Sequence, residues 1–127
     1  MNPDFYDWTK VYIRYCDGTV FQGSRSKPIS YKGKNLYFRG NNISIAIFNS
    51  LDKNYAIFNN ATYILLHGVS GGGTATFLWC NYVGERAKNI KVGCAPDSSF
   101  IFDVASVKNN LSNYRIAHKN FMKMSNV

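Results

Sequence analysis

Residues Tyr63 to Thr76 read Tyr-Ile-Leu-Leu-His-Gly-Val-Ser-Gly-Gly-Gly-Thr-Ala-Thr, and no other stretch of the chain restricts its fold as much. An apolar β-type run, Tyr63-Ile64-Leu65-Leu66, stops at Gly68-Val69-Ser70-Gly71-Gly72. A helix-compatible segment, Thr74 to Trp79, follows at once. Strand, G-x-S-x-G and helix in that order make a nucleophile elbow, a sharp turn that lifts a serine Oγ above a sheet edge. Gly68 and Gly72 are expected to let strand and helix backbones pass closely where a Cβ would collide. A helix beginning just after Ser70 aims unpaired N–H groups at the place where an oxyanion would form. A phosphate-binding loop is the other use of glycine before a helix, but no Gly-Lys-Ser/Thr follows and no lysine lies near the turn.

The chain has 127 residues, enough for one domain with a core but short for a complete α/β-hydrolase sheet. The reading is therefore α/β: a partial α/β-hydrolase-like parallel sheet with flanking helices, an internal fragment of a larger fold. No apolar run approaches the ~20 residues of a membrane span, and Met1-Asn2-Pro3-Asp4 does not look like a signal peptide. The net charge is +8. Its basic residues, from Arg14 through Lys53 to Lys123, are spread along the chain without a nucleic-acid-binding motif, so no nucleic-acid partner is expected. A polyanionic carbohydrate would be attracted to such a surface. Cys16, Cys80 and Cys94 are an odd set without metal-ligand spacing, and neither His67 nor His118 completes one, so no metal or other cofactor is expected. One disulfide and one orphan thiol fit a piece of a secreted protein, and three Asn-x-Ser/Thr sequons at Asn42, Asn60 and Asn110 are compatible with that.

Along the chain, Val11 to Tyr15 alternates in β-type residues and ends at the turn signal Cys16-Asp17-Gly18. Thr19 to Lys34 reads as a surface loop and Leu36-Tyr37-Phe38 as a short extended segment. Ile43 to Leu51 has mainly helical apolar spacing, Ala61 to Leu66 is the strand feeding the elbow, and Lys88 to Cys94 is the strand after it. Strand, helix, strand, helix, strand predicts a parallel sheet with right-handed crossovers. Residues 104–127 carry no pattern that assigns them a packed role.

Asn2 to Gly18 as a block closely resembles the plant pectin acetylesterase family, of which the animal Notum carboxylesterases are more distant relatives. Further landmarks fall in the family's order. Leu36-Tyr37-Phe38-Arg39-Gly40 is similar to its L-x-F-R-G, and Leu65 to Gly73 to its L-L-S-G-C-S-A-G-G. Trp79-Cys80-Asn81 is similar to its H-C-D, and Cys94-Ala95-Pro96-Asp97 with Asp103 to its C-L-A-D…D. The likeness is clear over residues 2–103 of what reads as a single partial domain, 1–127. It implies Ser70 as nucleophile, the Gly71 N–H in the oxyanion hole, and removal of O-acetyl groups from pectin in the plant cell wall by a secreted serine esterase. It also implies departures. Val69 stands for a cysteine and Gly71 for an alanine, and the family's G-G-G-W-C segment has no counterpart here. The triad acid and histidine of the family fall beyond the matched stretch, so low activity is expected of this chain alone. The alternative is a catalytically dead fragment that only binds polyanionic carbohydrate. By the same resemblance Cys80 and Cys94, which the animal relatives lack together, are expected to pair, leaving Cys16 free.

Ser70, Asp97 and His118 also stand in the Ser…Asp…His order of α/β-hydrolases. Seven acidic residues and two histidines make some such match cheap, and nothing around His118 positions it. His67 reads as a strand-end residue, since a side chain three positions before Ser70 on a strand points elsewhere.

Overall fold

The computed structural model describes residues 3–108 and 110–125. Its centre is one βαβ unit. Strand β3 (Tyr63–Val69) leads through Ser70 into helix α3 (Gly71–Arg86), which returns to strand β4 (Lys91–Asp97). The two strands pair in parallel from Tyr63 opposite Lys91 to Val69 opposite Asp97. Alternation sends Ile64, Leu66 and Val92 toward the helices, where they pack on the core. Tyr63 on the opposite face meets the Trp8 ring at 5.6 Å.

Before this unit come a hairpin, β1 (Ile29–Tyr31) and β2 (Lys34–Leu36), then helix α1 (Gly40–Tyr55) and the single turn α2 (Ile57–Asn60). α1 buries Gly40, Ser44 and Phe48 at four-residue spacing, and α3 buries Ala75, Trp79 and Val83 in the same way. Where these stripes face each other, Phe48 meets Trp79 at 5.7 Å, and Phe58 and Ala87 complete the core. Arg86 ties α3 to α1. Its guanidinium donates to Asn49 Oδ1 at 2.7 Å and Asp52 Oδ2 at 3.2 Å while covering the Phe58 ring.

The sheet is narrower than the sequence predicts. Val11 to Tyr15 forms no strand among the described residues, because its β-type side chains meet no neighbouring strand. Part of the expected loop from Thr19 to Lys34, Ile29–Tyr31 and Lys34, is instead strand. Lys32 and Gly33 adopt φ of 48° and 73°, the two-residue left-handed turn that matches hairpin twist, and so pair Tyr31 with Lys34. The α/β class and the parallel pairing are present, but as a single crossover.

A buried carboxylate closes the base of the hairpin. Asp17 accepts from the Thr19 N–H at 3.2 Å, from the Thr19 hydroxyl, and from the Gly40 N–H at the start of α1 at 2.6 Å. Just outside, Arg25 N–H donates to the Phe38 carbonyl and Asn41 N–H to the Gly23 carbonyl, both at 2.9 Å. Residues near the C-terminus form a helix, α4 (Asn113–Ser125), that the sequence reading left unassigned. Ser112 caps it, accepting the Arg115 N–H at 3.1 Å. Its far end meets the hairpin base, where Ser24 N–H donates to the Ser125 carbonyl at 3.1 Å.

Candidate active site

Ser70 is the one residue between β3 and α3, and its backbone sits at φ 55°, ψ −117°. That region disfavours any residue with a Cβ and costs on the order of 1–3 kcal/mol unless the surroundings enforce it. Two hydrogen bonds do. Ser70 N–H donates to the Asp97 carbonyl at 2.9 Å, and the Ser70 carbonyl accepts the Thr74 N–H at 3.0 Å. Because Thr74 makes the first helical bond, the N–H groups of Gly71, Gly72 and Gly73 precede the helical ladder.

Glycine makes the turn possible, at Gly68 as expected but at Gly73 in place of Gly72. A Cβ on Gly68 would lie 2.9 Å from Gly72 Cα and closer still to its carbonyl, so strand and helix touch there. Gly72 itself faces open space. The second tight approach is at Gly73, where a Cβ would lie 2.6 Å from the Asp97 carbonyl and 2.5 Å from Ser99 Oγ. The loop after β4 thus wraps the start of α3, with Ser98 at φ 50° making the bend.

The candidate partners of Ser70 fare unequally. Asp97 ends β4 beside the elbow, but its carboxylate accepts from the Ser98 hydroxyl at 2.8 Å. His67 is exposed on the sheet face away from α3 and makes no hydrogen bond among the described residues. His118 is exposed on α4, its ring stacked between Tyr114 and Phe121, with no hydrogen bond to Ser70 or Asp97. Ser70 itself is exposed. Tyr15 is the neighbour that sequence reasoning missed. Its ring lies 3.8 Å from where a Gly71 Cβ would be, and its hydroxyl accepts the Val20 N–H at 3.0 Å. Nothing local to Tyr15 signals this, since the contact spans more than fifty positions. No group of three or more His, Cys, Asp or Glu side chains is placed to hold a metal among the described residues.

Cys80 on α3 and Cys94 on β4 are bonded, with Cα atoms 6.1 Å apart, and Cys16 is free and exposed. The disulfide ties α3, which follows Ser70, to β4, whose Asp97 carbonyl accepts the Ser70 N–H.

Comparison with known proteins adds an independent line. The family model described as Pectinacetylesterase matches residues 1–127. Pectin acetylesterase 4 and pectin acetylesterase 5 of Arabidopsis thaliana are each 36% identical over 110 residues, 86% of this chain. The matches cover 26% and 25% of those two proteins, so the chain spans about a quarter of their length. The palmitoleoyl-protein carboxylesterase NOTUM of Schmidtea mediterranea is 30% identical over 88 residues, 69% of this chain and 16% of that protein. No solved structure matches. With the family model spanning every residue and the strand–serine–helix turn in place, the chain belongs to the pectinacetylesterase family.

Proposed function

We propose that this chain carries the nucleophile segment of a carboxylic ester hydrolase that removes O-acetyl groups from pectin. The observation that carries the reading is the strained backbone of Ser70, φ 55° and ψ −117°, between β3 and α3. Strain of this kind persists where a reactive side chain must stand clear of its own backbone. Ser70 Oγ gives up its proton as it attacks the acetyl carbonyl carbon, and the carbonyl oxygen becomes an oxyanion that accepts a hydrogen bond from the Gly71 N–H. Collapse breaks the bond to the sugar oxygen, which leaves carrying the proton that Ser70 Oγ gave up on attack. Water then attacks the acetyl-enzyme and releases acetate. Acetylated pectin as substrate and the cell wall as location belong to the same proposal, which rests on family membership.

The proton on Ser70 Oγ needs an acceptor, and neither histidine is hydrogen-bonded to it. Turnover by this chain alone is therefore expected to be close to background, a deficit on the order of 10⁶ when the base is missing. A fluorophosphonate probe with peptide mapping, run beside acetate release from acetylated pectin, tests this. Slow labelling confined to Ser70 and lost in Ser70→Ala is the expected result. Labelling at another serine, unchanged in Ser70→Ala, overturns the assignment. Robust turnover abolished by both Ser70→Ala and His118→Ala would instead make Ser70, Asp97 and His118 a working set.

A further inference from the structure

The basic residues look dispersed in the sequence, but the fold concentrates some of them. Between Asp17 and Asp52 there is no acidic residue, while Arg25, Lys27, Lys32, Lys34 and Arg39 all fall in that interval. Every residue from Ser30 to Tyr37 is exposed, so the hairpin β1–β2 stands out into solvent. Strand register places Tyr31 directly opposite Lys34, on one face. Lys32 Nζ lies 5.4 Å from the Tyr31 ring centre, and the Arg39 guanidinium lies 5.2 Å from that of Tyr37. Arg39 is held in place by donating to the Ser26 carbonyl at 2.8 Å.

Lys27 and Lys34 have no hydrogen bond or ion pair among the described residues. Asp17, the acid next to the hairpin base, is buried with its carboxylate committed to Thr19 and Gly40. A cleft of about 410 Å³ runs between residues 16–18 and residues 35–38 of the hairpin side.

We propose that this hairpin is a docking arm for an acidic polysaccharide. Its ammonium and guanidinium groups face sugar carboxylates, and Tyr31 and Tyr37 offer flat apolar faces to the C–H surfaces of pyranose rings. A cation beside an exposed aromatic ring suits a ligand that is charged at its rim and apolar on its face. The choice of a polyuronate, the de-esterified pectin backbone, rests on the esterase reading above. The arm itself rests on charge and exposure, and it lies on a different element from Ser70.

Affinity electrophoresis of the intact chain in gels containing polygalacturonate, or fully methyl-esterified pectin, tests the arm. Polygalacturonate is expected to retard the chain, the neutral ester to leave it unretarded, and salt to weaken the effect. Replacing Lys27, Lys32 and Lys34 together by Gln is expected to lower affinity about tenfold, three exposed charge contacts acting together. The same change at Lys53, Lys88 and Lys91, exposed positions outside the hairpin, is expected to lower it less than about threefold. Unchanged far-UV circular dichroism shows that each variant is folded. Tyr31→Ser, which leaves net charge intact, is expected to cost about threefold. Equal losses in the two triple variants would mean diffuse attraction and overturn the proposal, as would no retardation of the parent chain. Tighter retention by single-stranded DNA of matched charge would overturn it in favour of nucleic acid. Ser70→Ala is expected to leave retardation unchanged, so loss of serine labelling and loss of docking fail separately.

Discussion

Gly68 and Ser70 carry opposite backbone problems two residues apart. Gly68 has no room for a side chain, whereas Ser70 has a side chain in a conformation that resists one. Gly68→Ala is expected to destabilise the chain by about 2–4 kcal/mol, since the obstacle is backbone and cannot swing away. Gly72→Ala, whose Cβ meets nothing, should gain up to about 1 kcal/mol from helix propensity. Ser70→Gly should stabilise by about 1 kcal/mol while abolishing reactivity, by relieving the left-handed φ. Urea unfolding of the three variants measures all of this, and a Gly68→Ala chain as stable as its parent would show that the turn can open. The serine and its turn were legible in the sequence because their constraint is local: a short backbone path admits few residue types. Gly73 was not singled out because its obstacle, the Asp97 carbonyl and Ser99, arrives from a strand more than twenty positions away. Tyr15 escaped for the same reason.

Among elements, sequence patterns worked where one element supplies its own signal. Helices α1 and α3 declare their apolar spacing, and β3 and β4 their β-type runs. Val11 to Tyr15 has the same β-type character but lacks a partner strand, which no pattern within the segment can reveal. In the hairpin the Lys32-Gly33 turn was present but masked by the polar text around it. Helix α4 is held largely from its ends. Ser112 caps it and donates to Asp103 Oδ1 at 2.5 Å, while Arg115 pairs with Asp103 Oδ2 at 2.6 Å. The Arg115 hydrogen bond holds the Asp103 carboxyl below the ordinary carboxylate range, with Ser112 adding to the effect. A carboxyl with a lowered folded-state pKa contributes stability above its unfolded value, and that contribution is lost as pH falls through the lowered one. Acidification below about pH 4 should therefore fray α4 ahead of the βαβ unit, and Asp103→Asn should fray it at neutral pH. Amide exchange of α4 against α3 reads this directly, and simultaneous loss of both would contradict it. Between α3 and β4, the Cys80–Cys94 bond closes a 14-residue separation. Its removal by paired Cys→Ser replacement should cost about 3 kcal/mol, seen as a lower urea midpoint.

At the scale of the whole molecule, a modest core supports a wide apolar surface. Among the described residues six hydrophobic ones are buried, while Phe77 and Leu78 on α3 and Phe100 and Phe102 beyond β4 remain exposed. Parallel strands are ordinarily covered on both faces, and here the sheet has two strands with open outer edges among the described residues. Net charge of +8 keeps such surfaces apart at neutral pH. Raising the pH toward the isoelectric point near 9.5 removes that repulsion and leaves the apolar surface unchanged. Static light scattering should accordingly rise steeply between pH 7 and 9.5, and high salt at pH 7 should reproduce part of the rise. Flat scattering across that range would mean the apolar groups are already covered by one another. The closed base of the hairpin has a separate consequence. Asp17, Thr19, Gly23 and Gly40 join the two ends of residues 24–37 into one fixed seam, so what lies beyond the seam is a cassette. Its length and composition can drift, or be exchanged for a graft, while α1 still starts at the same place and the serine turn beneath α3 keeps its geometry. A scaffold arranged in this way lets reactivity and polymer preference evolve on separate schedules.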